Sequence, residues 1–470
     1  MQYFKPQEPD LFVGDAMPFW HEGRFHLFWL LDREHHGWLG GLGGHQWAHS
    51  STTDLIHWEH HPLAIALGMP GEVDSGSICT GSVFEHGGVF YAFYAGRVRN
   101  ADGSVTQHLC LATSRDCIHF TKRPDNPILN PPPGYSPRHF RDPSVFRDNG
   151  GLFHMLITSE LTDGLVHGRR GALAHFVSRD LKEWETQEPF LVPGLNEAPE
   201  CPDYFRWGEW YYLTFLVGGR ARYRMSREPL GPWLHPPVDT FDGSCASAIK
   251  TAAFGASRRL AVGFALWRKD GSDSGSLQWG GNAVFRELVQ APDGTLWSRF
   301  PEEMVPAAGA PVPLAFEAMA GEVRAYGGGD VGLCDAEGLA GAMAQGVPAD
   351  ARITCRVEPQ AAAFGLGVRG SGRFEQVYEI RFSTHERLAW VRNRQRPWTG
   401  DPFNEALTAV DGLDQPFTLD VVLCGDLIDV CIGGRRCLLS RFPELSGDRL
   451  FLFCENGRVR FRDLVVRPLA

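Results

Sequence analysis

The chain has 470 residues and a formal net charge of −11 at pH 7, which disfavours nucleic acid or anionic membrane as its main partner. Its length exceeds one ordinary hydrophobic core, so two domains are expected. With 54 Gly, 32 Pro and 12% aromatic residues, the composition points to many short strands joined by turns. No apolar run is long enough to span a membrane, and the first residues show no basic-then-apolar leader. The 11 cysteines contain no C-x-x-C pair, so free thiols in a reducing compartment are expected, with the cytoplasm as the location.

In chain order, a hairpin pattern recurs. Residues 18–29 read as a strand, a Gly-containing turn and an aromatic alternating strand, and residues 83–94, 144–156 and 203–215 repeat this. A second signature follows each hairpin. Thr53-Asp54-Leu55-Ile56-His57-Trp58 returns as Arg115-Asp116-Cys117-Ile118-His119-Phe120 and as Arg179-Asp180-Leu181-Lys182-Glu183-Trp184. A looser copy lies at 226–233, and a fifth unit runs from about Ile249 to Trp297. Five units of roughly four strands each predict a five-bladed β-propeller over residues 1–304. Residues 305–313 form a Pro/Ala linker, and the alternating runs of 314–470 predict a C-terminal β-sandwich. The fold class is all-β.

Acidic residues recur just ahead of the first strand of each unit: Asp15, Asp74 or its neighbours, Asp142, Glu200 and Asp242. In a propeller those positions lie at one mouth of the central channel. Carboxylates gathered there are what glycosidic bond cleavage requires.

These motifs resemble glycoside hydrolase family 32, the invertases, levanases and inulinases. Phe140-Arg141-Asp142-Pro143-Ser144 is similar to that family's Arg-Asp-Pro motif, and Glu200-Cys201-Pro202-Asp203 to its Glu-Cys-Pro-Asp motif. Asp74-Ser75-Gly76-Ser77 with Thr80-Gly81-Ser82 resembles its Ser-Gly-Ser segment, and Trp47-Ala48-His49-Ser50 its W-G-H-A stretch. By resemblance, Asp15 is the nucleophile, Glu200 the general acid and base, and Asp142 the holder of sugar hydroxyls, with Arg141 beside it. Trp47, Asp74 and Ser75 are expected at the substrate. The first motif departs from the family's W-M-N-D-P-N-G: Gly14 stands for the Asn, and Leu30 stands where H-L-F-Y-Q has Gln. Asp32 and Trp38, in the loop that follows, are candidates for replacement contacts.

Plainer explanations exist for several of these residues. Trp38 and Trp47 serve equally as packing, and Asp74 as a loop aspartate. The histidine spacings match no usual zinc pattern, and the Gly-rich 37–44 stretch lacks the Lys-Ser/Thr of a phosphate loop, so neither metal nor cofactor is expected. The resemblance implies retaining hydrolysis of terminal β-fructofuranosidic bonds in small saccharides. Another glycone such as an arabinofuranoside, fructosyl transfer, or a non-catalytic sugar-binding propeller remain as alternatives. A homo-oligomer is compatible with all of them.

Overall fold

A computed structural model describes residues 1–164, 166–394 and 405–469. The chain divides into two compact units. The first comprises Met1–Thr240, Ala246–Ala265 and Trp279–Leu296, and the second Phe241–Cys245, Leu266–Gln278 and Trp297–Ala470.

The first unit is a succession of antiparallel meanders. The first holds β1 (Leu11–His21), β2 (Arg24–Arg33), β3 (Gln46–Thr52) and β4 (Glu59–His60). The second holds β5 (Ser77–His86), β6 (Val89–Arg99), β7 (Val105–Ser114) and β8 (Thr121–Lys122). The third holds β9 (Tyr135–Arg147), β10 (Phe153–Leu161), β11 (Gly171–Ser178) and β12 (Glu185–Thr186). The fourth holds β13 (Glu200–Trp207), β14 (Trp210–Val217) and β15 (Arg220–Ser226), and the fifth β16 (Ala246–Phe254), β17 (Arg258–Arg268) and β18 (Leu277–Gln290). One register pair, Val13↔Gly281, joins the fifth to the first. The opening strands neighbour one another in a closed ring: β1 with β5, β5 with β9, β9 with β13, β13 with β16, and β16 with β1.

The repeated turn signature has a local cause. Asp54 Oδ1 accepts from the N–H groups of Ile56 and His57; Asp116 does the same for Ile118 and His119, and Asp180 for Lys182 and Glu183. A short acceptor side chain closing a turn on its own backbone explains why Asp recurs there. Leu55, Cys117 and Leu181 fill the next position with φ of 66°, 62° and 62° and point their side chains into the packing.

In the second unit eleven strands share one ladder. The long strand Ala351–Ser371 pairs through residues 351–357 with Phe417–Cys424 and through 363–371 with Gln376–Ser383. One strand serving two sets of neighbours lets a ladder fold into two facing layers. Val357, Phe364, Leu366, Val421 and Phe461 belong to one large apolar core of this unit. Among the described residues no helix is long and apolar enough to cross a membrane.

Candidate active site

Each inner strand of the first unit breaks register, and β9 does so a second time, between Tyr135 and Phe140. The breaks lie between Val13 and Ala16, Ile78 and Gly81, Arg141 and Ser144, Glu200 and Asp203, and Ser247 and Lys250. A bulge of this kind interrupts the ladder and re-aims the side chains at the break. Asp142, Cys201 and Ala248 accordingly adopt φ of 56°, 50° and 49°, a region that costs a non-glycine residue on the order of 1–3 kcal/mol.

The bulges deliver their side chains to one cavity of about 930 Å³. Asp15, Thr80, Asp142 and Cys201 line it from four of them, with Arg141 and Glu200 alongside and Ser247 at the fifth. Asp15 Oδ2 accepts hydrogen bonds from Thr80 Oγ1 at 2.5 Å and Cys201 Sγ at 3.5 Å, while Oδ1 is buried and has no hydrogen-bond partner among the described residues. Asp142 Oδ2 accepts from Thr158 Oγ1 at 2.9 Å and the Cys201 N–H at 3.0 Å. Arg141 Nη2 donates to Glu200 Oε1, and its Nε lies 3.7 Å from Asp142 Oδ2.

Burial and solvent access divide the three acids. The Asp142 side chain is 3% exposed and that of Glu200 39%, so Glu200 is the one open to exchange protons with a bound group. Burial first, then the charge of Asp142, push the Asp15 carboxyl up to about 7, against the lowering effect of the Thr80 hydrogen bond. Burial disfavours the Arg141 cation, but Glu200 and Asp142 outweigh this and hold it charged. The result is one buried carboxyl with a free oxygen, one accessible carboxyl, and a third fixed by donors.

Asp15, Arg141, Asp142 and Glu200 therefore meet, whereas the remaining sequence candidates do not line the cavity. Trp47 is fully buried, its Nε1 donating to Cys79 O at 2.9 Å inside an apolar cluster; it packs rather than binds. Asp74 is buried ahead of β5, ion-paired with Lys122 at 2.7 Å and bonded to Tyr94 Oη at 2.9 Å. Ser75 stays in the preceding turn, its N–H on Glu72 O. Trp38 packs under the Arg33 guanidinium, 5.5 Å from the ring centroid. Asp32 is wholly buried and touches two cavity residues, its Oδ1 accepting from the His36 N–H at 2.9 Å and lying 3.1 Å from His45 Nε2. Asp242, the fifth acid of the sequence series, groups with the second unit and accepts from Leu439 N. The second bulge carries Cys79 and Thr80 and the fifth Ala248 and Ile249, so the acidic series stops at three.

These placements make Asp74→Asn a stability test. It is expected to lower the melting temperature, by breaking a buried ion pair, and to leave kcat/KM within about threefold of wild type. Thermal melts alongside a rate assay separate the two effects.

Trp279 is a cavity residue that sequence reasoning missed. A Cβ at Gly14 would lie 2.1 Å from Trp279 Cη2, so the glycine beside Asp15 exists to admit this ring. His45 stacks on Trp279 at 4.7 Å between centroids, and Leu30 and Leu42 also line the wall. Gly14→Ala is expected to cost about 1–3 kcal/mol by overpacking and to lower kcat/KM, with Trp279→Ala restoring stability in the double variant. Denaturant melts of the three variants check this.

Asp32, His36 and His45 place ligand atoms within 4.8 Å of one another. Arg97 Nη1, however, lies 2.7 Å from His36 Nε2. Burial, then His45 and Arg97, push His36 down to about 3, so its ring is neutral and accepts from Arg97 through Nε2.

Residues 14–220 match the glycosyl hydrolases family 32 N-terminal domain. A sucrose-6-phosphate hydrolase of Escherichia coli is 33% identical over 206 residues, 43% of this chain and 40% of that protein. The chain thus aligns with about two fifths of the length of this curated relative. Fructan 1-exohydrolase IIa from Cichorium intybus has a TM-score of 0.75 at 18% identity, covering 100% of this chain and 97% of its own. Sucrose-6-phosphate hydrolase from Lactobacillus gasseri gives 0.72 at 18% identity, covering 97% of this chain and 91% of its own. At those identities the likeness shows a shared all-β fold over the whole length.

Proposed function

We propose that this chain, whose residues 14–220 match the glycosyl hydrolases family 32 N-terminal domain, is a retaining β-fructofuranosidase that acts on sucrose or small fructo-oligosaccharides. The convergence of Asp15, Asp142 and Glu200 on one cavity carries this reading. Asp15 Oδ1, which has no hydrogen-bond partner among the described residues, attacks the anomeric carbon of the terminal fructosyl unit as Glu200 gives its proton to the leaving oxygen. Glu200 then takes a proton from water, whose oxygen releases the sugar from Asp15 with overall retention. Asp142, held by Thr158 and Cys201, accepts from sugar hydroxyls and offsets positive charge at the ring in the transition state. All eleven cysteines are free, which supports a reducing compartment and the cytoplasm as the site of action.

One observation favours a charged version of the same substrate. Arg97, Arg99 and Arg138 line the cavity together with Arg141, an unusual gathering of cations in a chain of net charge −11. A phosphorylated sucrose, the substrate in the name of the Escherichia coli relative, would find in these guanidinium groups partners for its phosphate. Initial rates on sucrose, 1-kestose and sucrose 6-phosphate test both readings. Fructose from any of them supports the reaction class, and a kcat/KM at least about tenfold higher on the phosphate would assign the arginines to it. Failure to release fructose from all three, with release of another sugar from an arabinofuranoside, would overturn the glycone.

A further inference from the structure

One buried cation lies outside the mechanism so far. Lys250 ends the bulge of β16 and is 3% exposed. Its Nζ donates to Gly81 O at 3.1 Å and to Pro202 O at 3.0 Å. Gly81 follows Thr80, the donor to Asp15. Pro202 follows Cys201, whose Sγ reaches Asp15 and whose N–H holds Asp142. One ammonium thus ties together the two stretches of backbone that grip both acids.

We propose that Lys250 is a positioning residue for the acid cluster, holding the grips on Asp15 and Asp142 in place and offsetting the cluster's negative charge from the fifth strand of the ring. Among the described residues no carboxylate ion-pairs with it, and two neutral carbonyls alone are poor compensation for a buried ammonium. The missing compensation is the field of the nearby acids. The groups around Asp15 are Asp142 and Arg141 from β9, Glu200 and Cys201 from β13, and Thr80 with Cys79 from β5. Arg141 is committed to Glu200, and Lys250 reaches Asp15 through the backbone on either side of it. Its charge is felt at Cys201, where it opposes the effects of burial, Asp15 and Asp142 on the thiol.

This inference rests on Asp15, Asp142 and Glu200 being the reacting acids. Lys250→Met is expected to lower kcat about 30-fold with KM changed less than about threefold. The acid limb of its kcat/KM profile moves up by about one pH unit, because Asp15 ionises less readily without the cation. Its loss of melting temperature at pH 8 falls to roughly half in an Asp15→Asn background, where the charge to be offset is gone. Lys250→Arg, which keeps the charge, returns the limb toward wild type. If Lys250→Met does not fold, Lys250→Gln keeps a donor, removes the charge and takes the same measurements. An unmoved acid limb, with equal melting losses in both backgrounds, overturns the role of Lys250 alone. Full turnover by Asp15→Asn overturns the acid assignment and this inference with it.

Discussion

Asp15→Asn is expected to lose about 10⁴-fold in turnover and yet to melt later than the unaltered chain at pH 8. Loss of activity follows because an amide cannot form the covalent link to the sugar. The gain in stability follows from the environment of the carboxyl. Burial and the charge of Asp142 hold it at about 7 in the folded chain against 3.8 ordinarily. The unfolded chain therefore releases this proton first as pH rises. Stability from this group is highest below about pH 4, falls between about pH 4 and pH 7, and is level above that. A shift of about three units corresponds to on the order of 4 kcal/mol, an upper bound on what the uncharged amide recovers at pH 8. Melting curves of both proteins at pH 4 and pH 8 check the sign: the two should converge at pH 4 and separate at pH 8. A variant less stable at both would mean that Asp15 is a structural hydrogen-bonding group.

Glu200→Gln is expected to depend on the leaving group instead. A general acid contributes about 10²–10⁴-fold when the departing oxygen needs a proton. On sucrose the variant should lose about 10³-fold, while on an aryl fructoside with an acidic phenol the first step should be nearly unaffected. The second step still lacks its base, so a burst of phenol followed by a slow phase is expected. Gln keeps an oxygen that can accept from Arg141, and the side chain is open to solvent on one side, so the fold is expected to persist. Equal losses on both substrates would place Glu200 outside proton transfer.

Asp15, Asp142 and Glu200 were legible because each belongs to a short motif, although the structure places them within the inner strands or at their first residue, at a register break, rather than ahead of the strand. The strand alternation, the five repeats and the turn aspartates Asp54, Asp116 and Asp180 were likewise written in local spacing. Trp47, Asp74 and Ser75 went astray because proximity to a motif says nothing about direction. In the fold, Trp47 takes the apolar side of β3 and Asp74 turns back to Lys122 and Tyr94. Trp279 was hidden for the opposite reason. It reaches Gly14 only because the fifth meander closes onto the first through the Val13↔Gly281 pair. The missing side chain at Gly14 was the available signal, since a glycine beside a reactive acid implies that something large comes close. Lys250 left no such mark, because its partners are the carbonyls of Gly81 and Pro202, which any residue carries.

The central claim is that Asp15 forms a covalent bond to the sugar. Its most direct test is rapid acid quenching of Glu200→Gln during turnover of an aryl fructoside, followed by peptide mass spectrometry. The account requires the peptide containing Asp15 to gain the mass of one fructosyl residue, with the addition localised to that carboxyl. Steady turnover with no adduct on this peptide, or an adduct on Asp142, would contradict it.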